Sequence, residues 1–594
     1  MRPTFYILFT FCCLLTINAQ NTAKKDSLLN RELMLEREYN PSIRDAVKLS
    51  QLPDLREPQA PKSSVEFSNY AVPYNVQSKI FPLSPQSYLK NVNSSKYKGF
   101  LKGGISNLID IDADFGYQLL NTDKDRLNIF LTHRSSASNI SFLQEINDQD
   151  GEKRKFKIND NWGGLNFLHN FGDTKFFADI KYTFSAFNYY GLSMVQNIPT
   201  FSESRPLNNF DNNSIQINNM FETHFGFSSD KPSALNYNFK AGYTNFQQKY
   251  GNTENTNGGN ESRILIEGDI SHPVSSVTRM GLSATTKVYS YSDPINKYTD
   301  STSNYWTGSL TPYLFFEDDN FKLLLGAKVD AEIGSRKKIV GAPAIKFDFF
   351  PSERFMFYIH AGGGRKDNSQ YDMFYENRYV DPVFRVLDSR SPLDATAGVK
   401  FSPLSTFTVG IFGGYKITRD EHFFYTVPAP KLPSGVSSTT IAKNWIAPIY
   451  EDANTLKLGA DFNYSFQDIF DLNANWTYYN WSITSEKHSL IFYIALNKPD
   501  FEMNLNAGYN LSLLPLRFDL SYYSAIGRKV ADFSIPAFIK MNDIHDLSLK
   551  GTYSFTPYFS AYLSLNNLLF QKYDFWWGYP AQGFNAMGGL SVLF

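Results

Sequence analysis

The sequence predicts an all-β protein: a transmembrane, antiparallel, up-and-down β-barrel of about 22 strands with a short non-barrel segment at its N-terminus. Three observations predict it. The chain ends in Gly583 to Phe594 (GFNAMGGLSVLF), where Phe584, Ala586, Leu590, Val592 and Phe594 hold the even positions. Successive strand side chains point to opposite faces, so this segment has one apolar face, as a lipid-facing strand requires. The alternation recurs in Asn320 to Ile333 (NFKLLLGAKVDAEI), with Phe321, Leu323, Leu325, Ala327, Val329, Ala331 and Ile333 on one face and Lys322, Lys328, Asp330 and Glu332 on the other. That run is longer than an ordinary strand of about five or six residues and long enough to cross a bilayer at a tilt. Finally, mean hydropathy is −0.33. Beyond residue 19 no apolar stretch reaches the roughly 18 residues of a membrane helix, because period two hides the hydrophobicity.

The first element is a secretory signal, residues 1–19. Arg2, an apolar run from Phe5 to Ile17 and the small-residue exit Asn18-Ala19-Gln20 follow in the required order. Cys12 and Cys13 are the only cysteines, so after processing neither a disulfide nor a thiolate metal site is expected. The whole chain has 57 basic and 58 acidic residues, and removal of the signal takes away one base, Arg2. Such a balance gives nucleic acid no electrostatic footing. Residues 20–95 form the second element. A charged stretch, Lys24 to Glu38, is followed by Pro53, Pro58 and Pro61 and by Ser64 to Pro73, where proline opposes regular structure. The segment is expected in the periplasm or the lumen, as a linker, a docking arm or a reduced plug.

Residues 96–594 are expected to be the barrel. Alternating segments occur at Ile109 to Leu119, Phe176 to Ala186, Leu235 to Tyr243, Met280 to Val288, Leu456 to Phe466, Phe501 to Leu511 and Leu547 to Phe555. Tight turns at 121–125, 172–174, 229–233, 317–320, 351–354, 402–405 and 555–557 alternate with longer connections, among them 364–391 and 418–455. Short turns suit the periplasmic side and long loops the extracellular side.

In size and spacing the barrel resembles that of the TonB-dependent receptors. The resemblance covers residues 95 to 594 and rests on strand number, loop alternation, Leu496 to Asn510 (LNKPDFEMNLNAGYN) and the aromatic end at Phe594. It implies an outer-membrane location in a Gram-negative bacterium and a lumen of about 22 strands. The departure lies at the N-terminus: about 75 residues precede the first strand, without Gly-rich plug loops or a TonB box, so the chain reads as a plug-less relative.

Chemistry is sparse. The eight histidines are scattered without an HExxH motif, GxSxG is absent, and Gly362-Gly363-Gly364 lacks the Lys and Ser/Thr of a phosphate loop. No catalytic, cofactor or metal residues are expected. Asp110, Asp112 and Asp114 alternate with Ile109, Ile111, Ala113 and Phe115 and are expected as an acidic stripe on the lumen wall, paired with Lys and Arg in an ion-pair ladder or, alternatively, forming a calcium site or a selectivity ring. Two aromatic loops, with Tyr371, Phe374 and Tyr375 in one and Phe423, Phe424, Tyr425 and Trp445 in the other, are expected to cap the lumen or meet a ligand or surface lipoprotein. Trp576 and Trp577 suit an interfacial girdle, and Phe594 is the expected assembly signal.

These readings lead to a non-enzymatic barrel subunit of an outer-membrane assembly or secretion complex, with a receptor-like importer or pore for a nutrient as the alternative. The expected partners are outer-membrane lipids, the barrel assembly machinery during insertion, and a surface lipoprotein or periplasmic protein.

Overall fold

The computed structural model describes residues 97–143, 153–191, 195–196, 215–229, 235–251, 257–292, 304–334, 338–382, 384, 387–426, 429–430, 446–484, 493–532 and 537–594. The N-terminal segment 20–95 and Trp445 lie outside them. Contacts divide the chain at residue 76, and all described residues belong to the second unit, 77–594.

This unit is one closed sheet of 22 antiparallel strands. Each strand pairs with its sequence neighbours, and Gly99–Ser106 pairs both with Ile111–Asn121 and with the last strand, Asn585–Leu593. Closure removes the unpaired edge that lipid cannot satisfy. The seam is pinned at the terminal residue. Phe594 O accepts from Lys98 N and Gly99 N at 2.8 Å each, and Phe594 N donates to Gly99 O at 2.9 Å. Its ring stacks on Tyr117 at 6.0 Å, centroid to centroid. A side chain on Gly99 would overlap that ring.

The alternation places side chains as the sequence predicts. Along Phe321–Ile333, Leu325, Val329 and Ile333 are exposed on the outside, whereas Asp330 is buried, with Lys328 3.5 Å away. Exposed Leu131, Ile264, Ile266, Leu310, Ile411, Leu458 and Leu590 on other strands continue an apolar outer band, which lipid covers at no cost. Inside, the ion-pair ladder is present: Arg517 contacts Asp519 at 2.7 Å and Asp471 at 3.1 Å, and Lys181 contacts Glu222 at 3.3 Å.

One rim carries tight turns and the other long connections. Two departures from the sequence reading concern the long rim. Residues 418–455 are not one loop, because strands Phe407–Thr426 and Ile446–Phe466 continue pairing to Thr426 and Ile446. A register shift between Thr418 and Glu421, with Asp420 at φ 55°, re-aims this ribbon, a conformation that a short polar side chain tolerates. Phe423, Phe424 and Tyr425 therefore stand on a strand extension instead of a loop. Secondly, Trp576 is buried against Phe424, ring centroids 5.2 Å apart, so it belongs to the interior of the rim and not to a lipid-facing girdle.

Candidate functional site

The loop rim folds inward. Its keystone is the connection after strand Phe355–Lys366, which contains a helix, Gln370–Glu376. The sequence starts this helix locally: Ser369 Oγ accepts from Asp372 N, and the Asp372 carboxylate accepts in return from Ser369 N, the reciprocal arrangement of a capping box. The buried Glu261 carboxylate also accepts from Gln370 N at 2.7 Å, which tethers the start of the helix to the strand Asn260–Pro273.

Aromatic packing seats the other face. Phe374 lies 5.4 Å from Phe246 and 5.8 Å from Phe187, ring to ring. Tyr379 stacks on Tyr579 at 3.9 Å, and Tyr190 meets both rings edge-on. These residues, with Ile140, Phe156, Phe424, Ile446 and Trp576, form one buried cluster drawn from connections and strand ends around the rim. An apolar cluster of this kind is what an inward-folded cap needs, since burying rings of this size is the largest favourable term available.

Charged groups lock the cap from the side. Arg378 Nη2 lies 2.8 Å from Asp160, and Tyr371 Oη donates to Glu222 at 3.1 Å. Glu376 receives His422 Nε2 at 2.7 Å and Lys498 Nζ at 3.2 Å. Burial pushes the Glu376 carboxyl up, but the combined pull of His422, Lys498 and Lys366 holds it well below the usual carboxylate range. Burial pushes the His422 imidazole down against the pull of the same Glu376. For Glu261, burial dominates, reinforced by Asp372, and its carboxyl is pushed up to about 7. The helix and ribbon are thus joined by buried polar contacts as well as by apolar ones.

Beneath the cap lies a cavity of about 720 Å³. Its lining includes Asp110, Asp112, Tyr371, Phe374 and Tyr375, so the structure brings part of the expected acidic stripe together with one of the two aromatic groups. The stripe itself needs correction. Asp112 and Asp114 lie on strand Ile111–Asn121, but Asp110 belongs to the preceding turn, where Ile109 takes φ 61°. Arg134 answers the strand pair, reaching Asp114 at 2.7 Å and Asp112 at 3.6 Å. Asp110 instead accepts from Ser106 Oγ at 2.9 Å, from Gln582 Nε2 at 3.1 Å and from Asn585. The three carboxylates therefore have two different jobs, an ion pair on the wall and a hydrogen-bonded lock at the rim. Among the described residues no three His, Cys, Asp or Glu side chains converge as a metal site would require.

Sequence reasoning missed Lys102, Trp162, Arg378, Lys550 and Tyr562, which also line the cavity. Each stands alone in its own strand or loop, and only the register of the closed barrel gathers them. An available signal was period two: Lys102 is two residues from Gly104 and Lys550 is two from Ser548, on inward faces.

No family model and no curated protein matches the sequence. Solved structures do. The siderophore receptor PirA from Acinetobacter baumannii is 11% identical with a TM-score of 0.60, the match covering 84% of this chain and 80% of that one. The FrpB iron transporter from Neisseria meningitidis is 11% identical, TM-score 0.58, with 84% and 82% covered. For the ferripyoverdine receptor of the outer membrane of Pseudomonas aeruginosa the values are 12%, 0.57, 84% and 72%. At these identities the likeness concerns the fold alone: the chain shares its closed 22-strand barrel architecture with these proteins.

Proposed function

We propose that the protein is an outer-membrane receptor of the importer type, which takes a small-molecule nutrient from outside the cell into a capped lumen. The observation that carries this reading is the cavity of about 720 Å³ lined jointly by the inward-folded cap and the barrel wall. It is concave, aromatic-lined and furnished with convergent polar groups, the properties of a small-molecule site. The fold adds support, since the similar barrels include a siderophore receptor and an iron transporter. In this reading the long connections are extracellular, residues 20–95 lie on the periplasmic or lumenal side, and the protein transports without catalysing.

The reading that the sequence led to first, a non-enzymatic subunit of an assembly or secretion complex, has no observation in its favour among the described residues. The aromatic residues that suggested a protein-docking loop, Phe374, Phe423 and Phe424, are buried within the chain. The test compares solute depletion from a defined medium by wild-type cells and by a deletion strain. Depletion of one solute class that requires the protein is the expected result. Identical depletion, together with loss of other proteins from the outer membrane, would overturn the importer reading.

A further inference from the structure

We propose that Lys102, Lys550 and Tyr562 form an oxyanion site on the lumen wall, which holds an organic ligand through a carboxylate or phosphate group. The site begins with a ring laid across three strands. Tyr562, on strand Phe559–Asn566, crosses the final strand at Gly589 and reaches Gly104 on the first, and a side chain at either glycine would overlap its phenol. The ring is therefore held flat against the wall. Lys102 Nζ and Lys550 Nζ each lie 5.0 Å from its centroid, so cation–π attraction holds two ammonium groups near one ring.

Two like charges so placed repel, and nothing in the described residues answers them directly. Lys550 is 7% exposed, yet neither lysine has a carboxylate within the 4.0 Å of an ion pair among the described residues. The nearby acids are engaged elsewhere: Asp114 and Asp112 face Arg134, and Asp519 faces Arg517. The Tyr562 hydroxyl likewise makes no hydrogen bond among the described residues, and it is a donor that an oxyanion would accept. All three side chains line the cavity. Buried cations are ordinarily paired, and an anionic group supplied by a ligand would complete this arrangement with charge-assisted hydrogen bonds. The remaining space exceeds what one oxyanion fills. Trp162, Tyr375 and Tyr522 on the same lining offer faces for an organic body.

The inference rests on the receptor reading in treating the occupant as cargo, but binding by purified protein is measured apart from uptake. The full chain in detergent is titrated calorimetrically with pyrophosphate, with benzene-1,3,5-tricarboxylate and with glucose as a neutral control. Either anion is expected to bind while glucose does not, and binding of one anion alone identifies the preferred head group. The double variant Lys102→Gln/Lys550→Gln is expected to bind at least about 10-fold more weakly, as loss of charged hydrogen bonds implies. Lys102→Arg/Lys550→Arg, which keeps both charges, is expected to retain binding. Folding of each variant is checked by heat-modifiable mobility. Absence of anion binding, or equal binding by a folded Gln variant, overturns the site. Anion binding by a protein that supports no uptake keeps the site and removes the importer reading.

Discussion

Replacing Phe374 by alanine separates the cap from the barrel. The ring is 8% exposed and contacts Phe187 and Phe246 at centroid distances of 5.8 and 5.4 Å. Truncating a buried Phe to Ala costs about 3 to 5 kcal/mol, through lost transfer energy and the void left behind. Phe374 also borders the cavity, where part of that void already exists, so the lower end, about 3 kcal/mol, applies. The barrel strands do not depend on this ring for their ladders, and the loss falls on the local equilibrium between seated and open cap. A shift of about 3 kcal/mol raises the open population roughly 100-fold. Hydrogen exchange followed by mass spectrometry reads it directly: protection of Gln370–Glu376 is expected to fall about 100-fold while strand amides such as those of Phe321–Ile333 stay unchanged. Unaltered protection of the helix would refute the packing argument. An equal loss across the barrel would refute the separation of cap and wall.

The other predictions concern the wall, the seam and pH. Val329→Arg, on the lipid face, is expected to cost about 2 to 4 kcal/mol of folding into lipid vesicles if it lies near the midplane, whereas Lys328→Ala, on the lumen face, costs less, because the Asp330 carboxylate that it faces keeps Arg365 N as a donor at 2.7 Å; equal sensitivity would contradict the register. Phe594→Asp places a charge where the terminal ring stacks on Tyr117, and the heat-modifiable folded fraction in outer membranes is expected to drop; an unchanged fraction would remove Phe594 from barrel closure. Glu261 has its carboxyl raised from 4.5 to about 7, so the folded cap holds the proton more tightly than the unfolded chain does. Its contribution is full below pH 4.5 and is lost as pH rises through about 7, by up to roughly 3 kcal/mol. Cap protection in wild type minus that in Glu261→Gln is therefore expected to decrease between pH 5 and 8, and a flat difference would contradict it.

The barrel was legible because period two runs through its lipid-facing strands, as in Phe321–Ile333, where Leu325, Val329 and Ile333 are exposed and Asp330 is buried. Strand number followed from counting between turns, and the terminal Phe594 followed from the pattern of the last strand. What failed was local. Residues 418–426 and 446–455 read as loop because their aromatics and prolines break the alternation, and both faces there are covered by protein instead of one by lipid. The same burial explains Trp576, whose surroundings come from Phe424, distant in sequence. Asp110 followed the stripe in sequence, but the positive φ of Ile109 turned it out of the strand. The cavity was least legible, because Lys102 meets Lys550 and Tyr562, which share one hairpin, only through closure of the first strand on the last.

The central claim is that the capped lumen receives a small molecule. Native mass spectrometry of the full protein, extracted gently from outer membranes, tests it most directly. The importer account expects a stoichiometric small-molecule adduct that is lost when Lys102 and Lys550 are both changed to Gln or when the cap is loosened by Phe374→Ala. A protein that carries no adduct in any preparation and is recovered instead in a fixed stoichiometric complex with other outer-membrane proteins would contradict it.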